Sequence, residues 1–126
     1  MQKQRHDNKN NFKVRLYNYV LRLIKFLNAL PQNHISREIT NQLLRSGTSV
    51  GANYFEANGA SSKKDFQNFF AHSLKSANES KFWIAILRDS DLVPQELNNE
   101  LSWLFQETKE LANILASSII TLKGKR

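Results

Sequence analysis

Seven glutamates, four aspartates, three histidines and several clustered hydroxyls are the groups in this sequence that could do more than pack. Metal-binding helical bundles use Glu-x-x-His pairs, and here no glutamate has a histidine three residues on. His6, His34 and His72 fall in a tail, a turn and a helix, so neither an H-E-x-x-H motif nor a paired-histidine ligand set exists. With no cysteine, thiol catalysis, zinc fingers and disulfide scaffolds are excluded. Gly47 and Gly51 have no strand before them and no Gly-Lys-Ser/Thr after them, so they do not form a phosphate-binding loop. His72 shares a helical face with Glu79 and reads as a hydrogen-bonded or solvated pair rather than a base dyad. Asn53 and Glu56 lie three apart beside Ser46, Thr48 and Ser49. Weighed together with Glu79, they read as a polar network that fixes helix register and partner choice, a small-molecule site being the alternative. No catalytic residue, metal or cofactor is expected, and the chain reads as a non-enzyme.

Charge is the more informative chemistry. The 126 residues carry 18 Lys+Arg against 11 Asp+Glu, a formal net charge of +7. Residues 1–15 hold Lys3, Arg5, Lys9, Lys13 and Arg15 against a single Asp7, and residues 123–126 hold Lys123, Lys125 and Arg126. Between these stretches ten basic and ten acidic residues cancel. Basic arms of this kind bind polyanions, solvated tails being the bland alternative. The turn Asn58-Gly59-Ala60-Ser61-Ser62-Lys63-Lys64 offers amide groups at a helix start, two hydroxyls and the ammonium groups of Lys63 and Lys64. That combination suits a phosphate, although an ordinary solvated turn has the same composition.

Four helical stretches must position these charges. Leu16, Leu23 and Leu30 repeat every seven residues, with Tyr17, Val20, Ile24 and Leu27 expected on the same face, which predicts a helix over about 11–30. Arg15, Asn18, Arg22 and Lys25 form its polar stripe. A second helix is predicted over 35–57 on Ile39, Leu43, Ser46, Val50, Asn53 and Ala57. Its middle is small, and Gly47 and Gly51 read as places where another backbone comes close. The S-x-x-D capping box Ser62–Asp65 opens a third helix, 62–89, on Phe66, Phe70, Ser73, Ala77, Ser80, Ile84 and Leu87. A hairpin centred on Ala60 would set Gly47 level with Ser73. Pro94 suits a first helical position, and a fourth helix, 94–122, follows Leu97, Leu101, Leu104, Thr108, Leu111, Leu115, Ser118 and Leu122.

Short connections between helices of this length give an expected fold class of all-α: one domain, 1–126, as an antiparallel up-down-up-down four-helix bundle with basic arms at 1–11 and 123–126. That order gathers both arms, Lys63 and Lys64 at one pole and leaves Asp89, Asp91, Glu96 and Glu100 at the other. Phe82 to Leu87 is apolar all round, Trp83 included, and Trp103 lies off the fourth helix's seam. A helix end with no polar side demands burial on every side, which predicts a homo-oligomer using Phe82, Trp83 and Trp103. The longest apolar run is six residues, too short to cross a membrane, and the first eleven residues hold no signal-type apolar stretch. A cytoplasmic address is expected.

The block Leu44-Arg45-Ser46-Gly47-Thr48-Ser49-Val50-Gly51-Ala52-Asn53-Tyr54-Phe55-Glu56-Ala57 resembles a bacterial family of small four-helix-bundle proteins, among them proteins encoded by intervening sequences in large-subunit ribosomal RNA genes. The likeness continues through Ser61 to Phe66, Ala77 to Ser80 and Trp83. It implies an antiparallel bundle, a homopentameric ring and no enzymatic activity. It also makes Asn53 and Glu56 structural residues near subunit contacts. A more distant relative is the accessory protein of diversity-generating retroelements, which works with a reverse transcriptase and its RNA. This sequence has Phe55 where the family usually has a basic residue. The leading expectation is a non-catalytic helical assembly protein that binds RNA or another nucleic acid through its basic pole. The alternative is an adaptor or accessory subunit with a protein partner.

Overall fold

The computed structural model describes the backbone of residues 2–124 and the side chains of residues 11–124. All regular structure among the described residues is helical: α1 Gln2–Ala29, α2 His34–Asn58, α3 Lys63–Asp89 and α4 Asn98–Gly124, with a 3-10 turn Gln95–Leu97 leading into α4. The four helices form a bundle around one apolar core.

The helix boundaries follow from local chemistry. Pro31 stands just past the end of α1, and the Asn33 side chain then accepts from the amides of Ile35 and Ser36, 2.9 Å each. The Ser36 hydroxyl returns the favour by accepting from the Asn33 amide at 2.8 Å, so α2 begins on a reciprocal capping box. Ser62 caps α3, its hydroxyl accepting from the Asp65 amide at 3.1 Å. The Asp65 carboxylate does not reach back to Ser62; it accepts from the Ser61 hydroxyl instead, at 3.1 Å.

Two boundaries differ from the sequence expectation. Residues 2–10 continue α1 instead of forming an arm, because no Gly or Pro interrupts them. Pro94 is not the first residue of α4; its ψ of 148° keeps it extended ahead of the 3-10 turn, and the α-helix starts at Asn98. The chain reverses between α3 and this turn through Asp91, whose φ of 63° is a conformation that aspartate adopts more readily than most residues.

The expected core rows hold. Leu16, Leu23, Leu43, Val50, Ala77, Ile84, Leu87, Leu104, Leu111 and Leu115 are fully buried. Among them runs a line of buried hydroxyls. The Ser73 hydroxyl donates to the Val50 carbonyl at 2.7 Å, and the Ser80 hydroxyl lies 2.9 Å from that of Ser46. These small residues let α2 and α3 lie close together. The pairing also corrects the register: Gly47 lies beside Ser80, not Ser73, because the pairs Val50–Ser73 and Ser46–Ser80 centre the hairpin near residues 62–63 rather than on Ala60. A β-carbon on Gly47 would meet the Leu23 side chain of α1, and one on Gly51 would lie 3.2 Å from Val20. The glycines therefore admit α1 against α2.

On the other side of α1, Tyr19 is buried and its hydroxyl donates to Thr108 of α4 at 2.6 Å, while Thr108 donates to the Leu104 carbonyl. Burial pushes the Tyr19 phenol up to about 12. Tyr19→Phe removes one net hydrogen bond and leaves Thr108 with its carbonyl partner. A loss of about 1 kcal/mol in urea unfolding is expected, and an unchanged midpoint would mean that this bond adds nothing.

Two expected core residues lie elsewhere. Tyr17 and Ile24 are 58% and 40% exposed. The apolar positions of α1 form two rows: Leu16, Tyr19, Leu23, Phe26, Leu27 and Leu30 enter the core, while Val14, Tyr17, Leu21 and Ile24 face outward.

Candidate nucleic-acid interface

The basic side chains divide into two groups. In the first, four of the five arginines whose side chains are described are closed off by carboxylates, Arg37 being the exception. Arg15 forks onto Glu107, with Nε and Nη2 at 2.7 and 2.8 Å, and reaches Glu110 at 3.0 Å. The hydrogen bond that Arg15 donates to Glu107 raises the Arg15 pKa, so its charge is fixed. Arg22 forks onto Glu100 at 2.6 and 2.9 Å, Arg88 onto Asp89 at 2.8 and 3.1 Å, and Arg45 pairs with Glu79. Arg15 is thus corrected: it ties α1 to α4 and is not available to a phosphate.

The second group is lysine. Lys63 and Lys64 open α3, both exposed, directly after the turn that ends α2. Lys123 is exposed in the last turn of α4. Lys13 lies with its ammonium 5.2 Å from the centre of the Phe55 ring, close to the end of α2. Lys3, Arg5, Lys9, Lys125 and Arg126 lie outside the residues whose side chains are described.

Between these lysines sits an aromatic cluster that the sequence reading missed. Phe12 meets Tyr54 edge-on at 4.9 Å, Tyr54 meets Phe70 at 5.4 Å, and Phe66 stacks on Phe70 at 4.8 Å. A groove of about 560 Å³ runs over Phe66, Phe70, Ile114 and Leu122, bordered by Asn113 and Ser117. A second of about 470 Å³ adjoins it through Phe70 and Ile114 and reaches Phe12 and Asn11. The signal was present in the sequence, since Phe12, Tyr54, Phe66 and Phe70 all fall within a few turns of a helix end on the lysine side. It needed the fold to bring three helices together.

The proposed polar site is not assembled. Asn53 donates to the Ser49 carbonyl at 2.9 Å within its own helix, and Glu56 is exposed. Glu79 stands further along the hairpin beside Arg45, where it also accepts from the Trp83 indole at 3.0 Å. His72 is exposed and Glu79 is already engaged, so no His72–Glu79 pair forms. Among the described residues no group of three or more His, Asp or Glu could hold a metal ion, and no helix is long and apolar enough to cross a membrane.

A model of the 23S rRNA-intervening sequence proteins matches residues 9–117. The chain belongs to this family. This 23S rRNA-intervening sequence protein is similar to a solved protein of unknown function from the S23 ribosomal protein family of Bacteroides thetaiotaomicron. The two are 30% identical, the match covers 87% of this chain and 96% of that one, and the TM-score is 0.77. A search of curated proteins found no match.

The aromatic residues expected at subunit contacts of this family member are mostly used within one chain. Trp103 is half-buried beneath the Arg22 guanidinium, whose carbon lies 3.5 Å from the ring centre. Ile84 and Leu87 are buried, and Trp83, Ala85 and Ile86 are half-buried. Only Phe82 of that apolar run is exposed, at 56%, with its ring edge-on to Trp83 at 5.0 Å. The all-apolar end of α3 is therefore largely satisfied without a second subunit. It is wrapped by its own chain because Leu92, Val93, Leu97 and Phe105 also pack against the core.

Proposed function

We propose that this chain is a non-catalytic assembly protein that associates with copies of itself and binds RNA through a lysine-bearing end of an up-down-up-down bundle. The observation that carries the reading is the grouping of cations: Lys13, Lys64 and Lys123 make no ion pair among the described residues and fall toward one end. Arg15, Arg22, Arg45 and Arg88 are instead paired with carboxylates, and the other unpaired cations, Lys25, Arg37, Lys75, Lys81 and Lys109, are distributed along the helices. The up-down order is supported by opposed pairs. Arg15 and Arg22 meet Glu107 and Glu100, and Val50 and Ser46 meet Ser73 and Ser80, so numbers rise on one helix as they fall on its neighbour. In that order Lys13, Lys64 and Lys123 lie toward one end. Phosphate neutralisation would supply the affinity, with little sequence preference.

The test is titration of a short unstructured RNA at two salt concentrations. If four phosphates are neutralised, the log–log salt slope is roughly −3 for a single strand, and a fourfold rise in salt weakens binding about fiftyfold. Removing residues 1–10 and 123–126 together with Lys64→Ala is expected to lower affinity at least tenfold and flatten the slope. No binding at low salt, or a triple change without effect, would sink the RNA reading. A second reading, an adaptor or accessory subunit of the kind that serves a reverse transcriptase, draws on the apolar groove over Phe66, Phe70, Ile114 and Leu122. Nuclease-insensitive co-purification with the product of a neighbouring gene would select it.

A further inference from the structure

We infer that the outer face formed by α1 and α2 is the surface on which a second copy of this chain docks, an inference that rests on the self-association proposed above and gives it a location. Nine large apolar side chains are exposed among the described residues. Six of them, Val14, Tyr17, Leu21 and Ile24 on α1 with Leu44 and Phe55 on α2, are 39% to 58% exposed and lie on this face. The α1 residues are spaced three, four and three apart, which keeps them in one row along the helix. Leu44 and Phe55 are eleven apart, three turns, and so share a side of α2. Leu23 beside Gly47, Val20 beside Gly51 and Lys13 over Phe55 set the two rows next to each other.

No charged residue falls within the α1 row between Val14 and Ile24; Arg15 and Arg22 turn the other way, onto α4. At roughly half exposure the six side chains present on the order of 500 Å² of apolar surface, the size of the largest patch on a typical monomer. An interface of ~800 Å² per partner is about 56–65% non-polar, roughly 450–520 Å², which is the apolar area this face presents. The other three exposed apolar residues, Ile35, Phe82 and Ile120, stand singly. An uncharged row of this length left open to water invites indiscriminate association, so its occupant has to be present whenever the chain is. A copy of the chain meets that condition at equal concentration by construction. A transient partner does not.

Light scattering of the full chain over a concentration series, with Leu21→Asp, Ile24→Lys and Phe82→Asp beside the natural sequence, tests the assignment. The natural chain is expected to be oligomeric at micromolar concentration. Leu21→Asp and Ile24→Lys are expected to keep the helical circular dichroism and to raise the dissociation midpoint at least tenfold, while Phe82→Asp leaves it in place. Should a charged variant fail to fold, a photo-crosslinker at the exposed Ala52 reads the same face in the natural background and is expected to join two chains. A monomeric natural chain overturns both this inference and the self-association it rests on. An oligomer that survives Leu21→Asp and Ile24→Lys but dissociates with Phe82→Asp, or a crosslinker at Ala52 that joins nothing, overturns this inference alone.

Discussion

Leucine in place of Gly47 is expected to destabilise the bundle by about 3 kcal/mol or more, enough to leave much of the chain unfolded if its stability is ordinary. Even a β-carbon at this position would meet the Leu23 side chain, which is fully buried. Ser80 lies on the adjoining side, its hydroxyl 4.0 Å from that same position. Filling a helical glycine ordinarily gains up to about 1 kcal/mol from the backbone. Here the gain is outweighed, because a whole isobutyl group must displace α1 from α2. Urea unfolding followed by circular dichroism, at one protein concentration for all variants, measures the loss. A Gly47→Leu chain with the natural midpoint would show that α1 does not press on α2 as described.

The second large effect is the reverse operation. Leu23→Ala is expected to cost about 3 kcal/mol, within the 2–5 kcal/mol range for a fully buried leucine, because a cavity opens opposite Gly47. The two sites are expected to be coupled. Gly47→Ala alone trades a clash against better helix propensity and is expected to be neutral to about 2 kcal/mol destabilising. In the Leu23→Ala background the added methyl fills part of the cavity, so the same change is expected to stabilise by about 1 kcal/mol or more. The double-mutant cycle reads this as non-additivity of about 1–3 kcal/mol. Strict additivity would place the two side chains apart.

These two residues also show what could be seen in the sequence. The α3 row from Phe66 to Leu87 was legible because every member repeats at three or four residues and nothing in the helix competes with it. The small centre of α2 was legible as a close approach, since two glycines in a helix interior need a packing reason. Which helix approaches was not. The reading turned that face toward α3, whereas the glycines admit Leu23 and Val20 of α1 and the serines face α3. Helical spacing separates such faces by less than a turn, and the tie is broken only by side chains on other helices, 23 to 34 residues away. Arg15 failed for a related reason: its charge was visible, but its partner Glu107 lies 92 residues on. The outward row of α1 was in principle readable. It was absorbed into the core row because Tyr17 and Ile24 sit within one step of Leu16 and Leu23.

The hydroxyl line between α2 and α3 has a consequence for the order in which the molecule is built. Its bonds join residues 23 and 34 apart, Ser73 to Val50 and Ser80 to Ser46, while the links of α1 to α4 span 78 to 95 residues. Short loops close at lower entropic cost, and contacts that are local in sequence form early. The α2–α3 hairpin and the approach of α1 to α2, 24 to 31 residues apart, are therefore expected to form before the links of α1 to α4 that complete the bundle. Since α1 carries most of the uncharged outer row, a chain caught before that step lacks the finished surface on which we propose that a copy docks. On that proposal, recognition between subunits would double as a check that folding is complete.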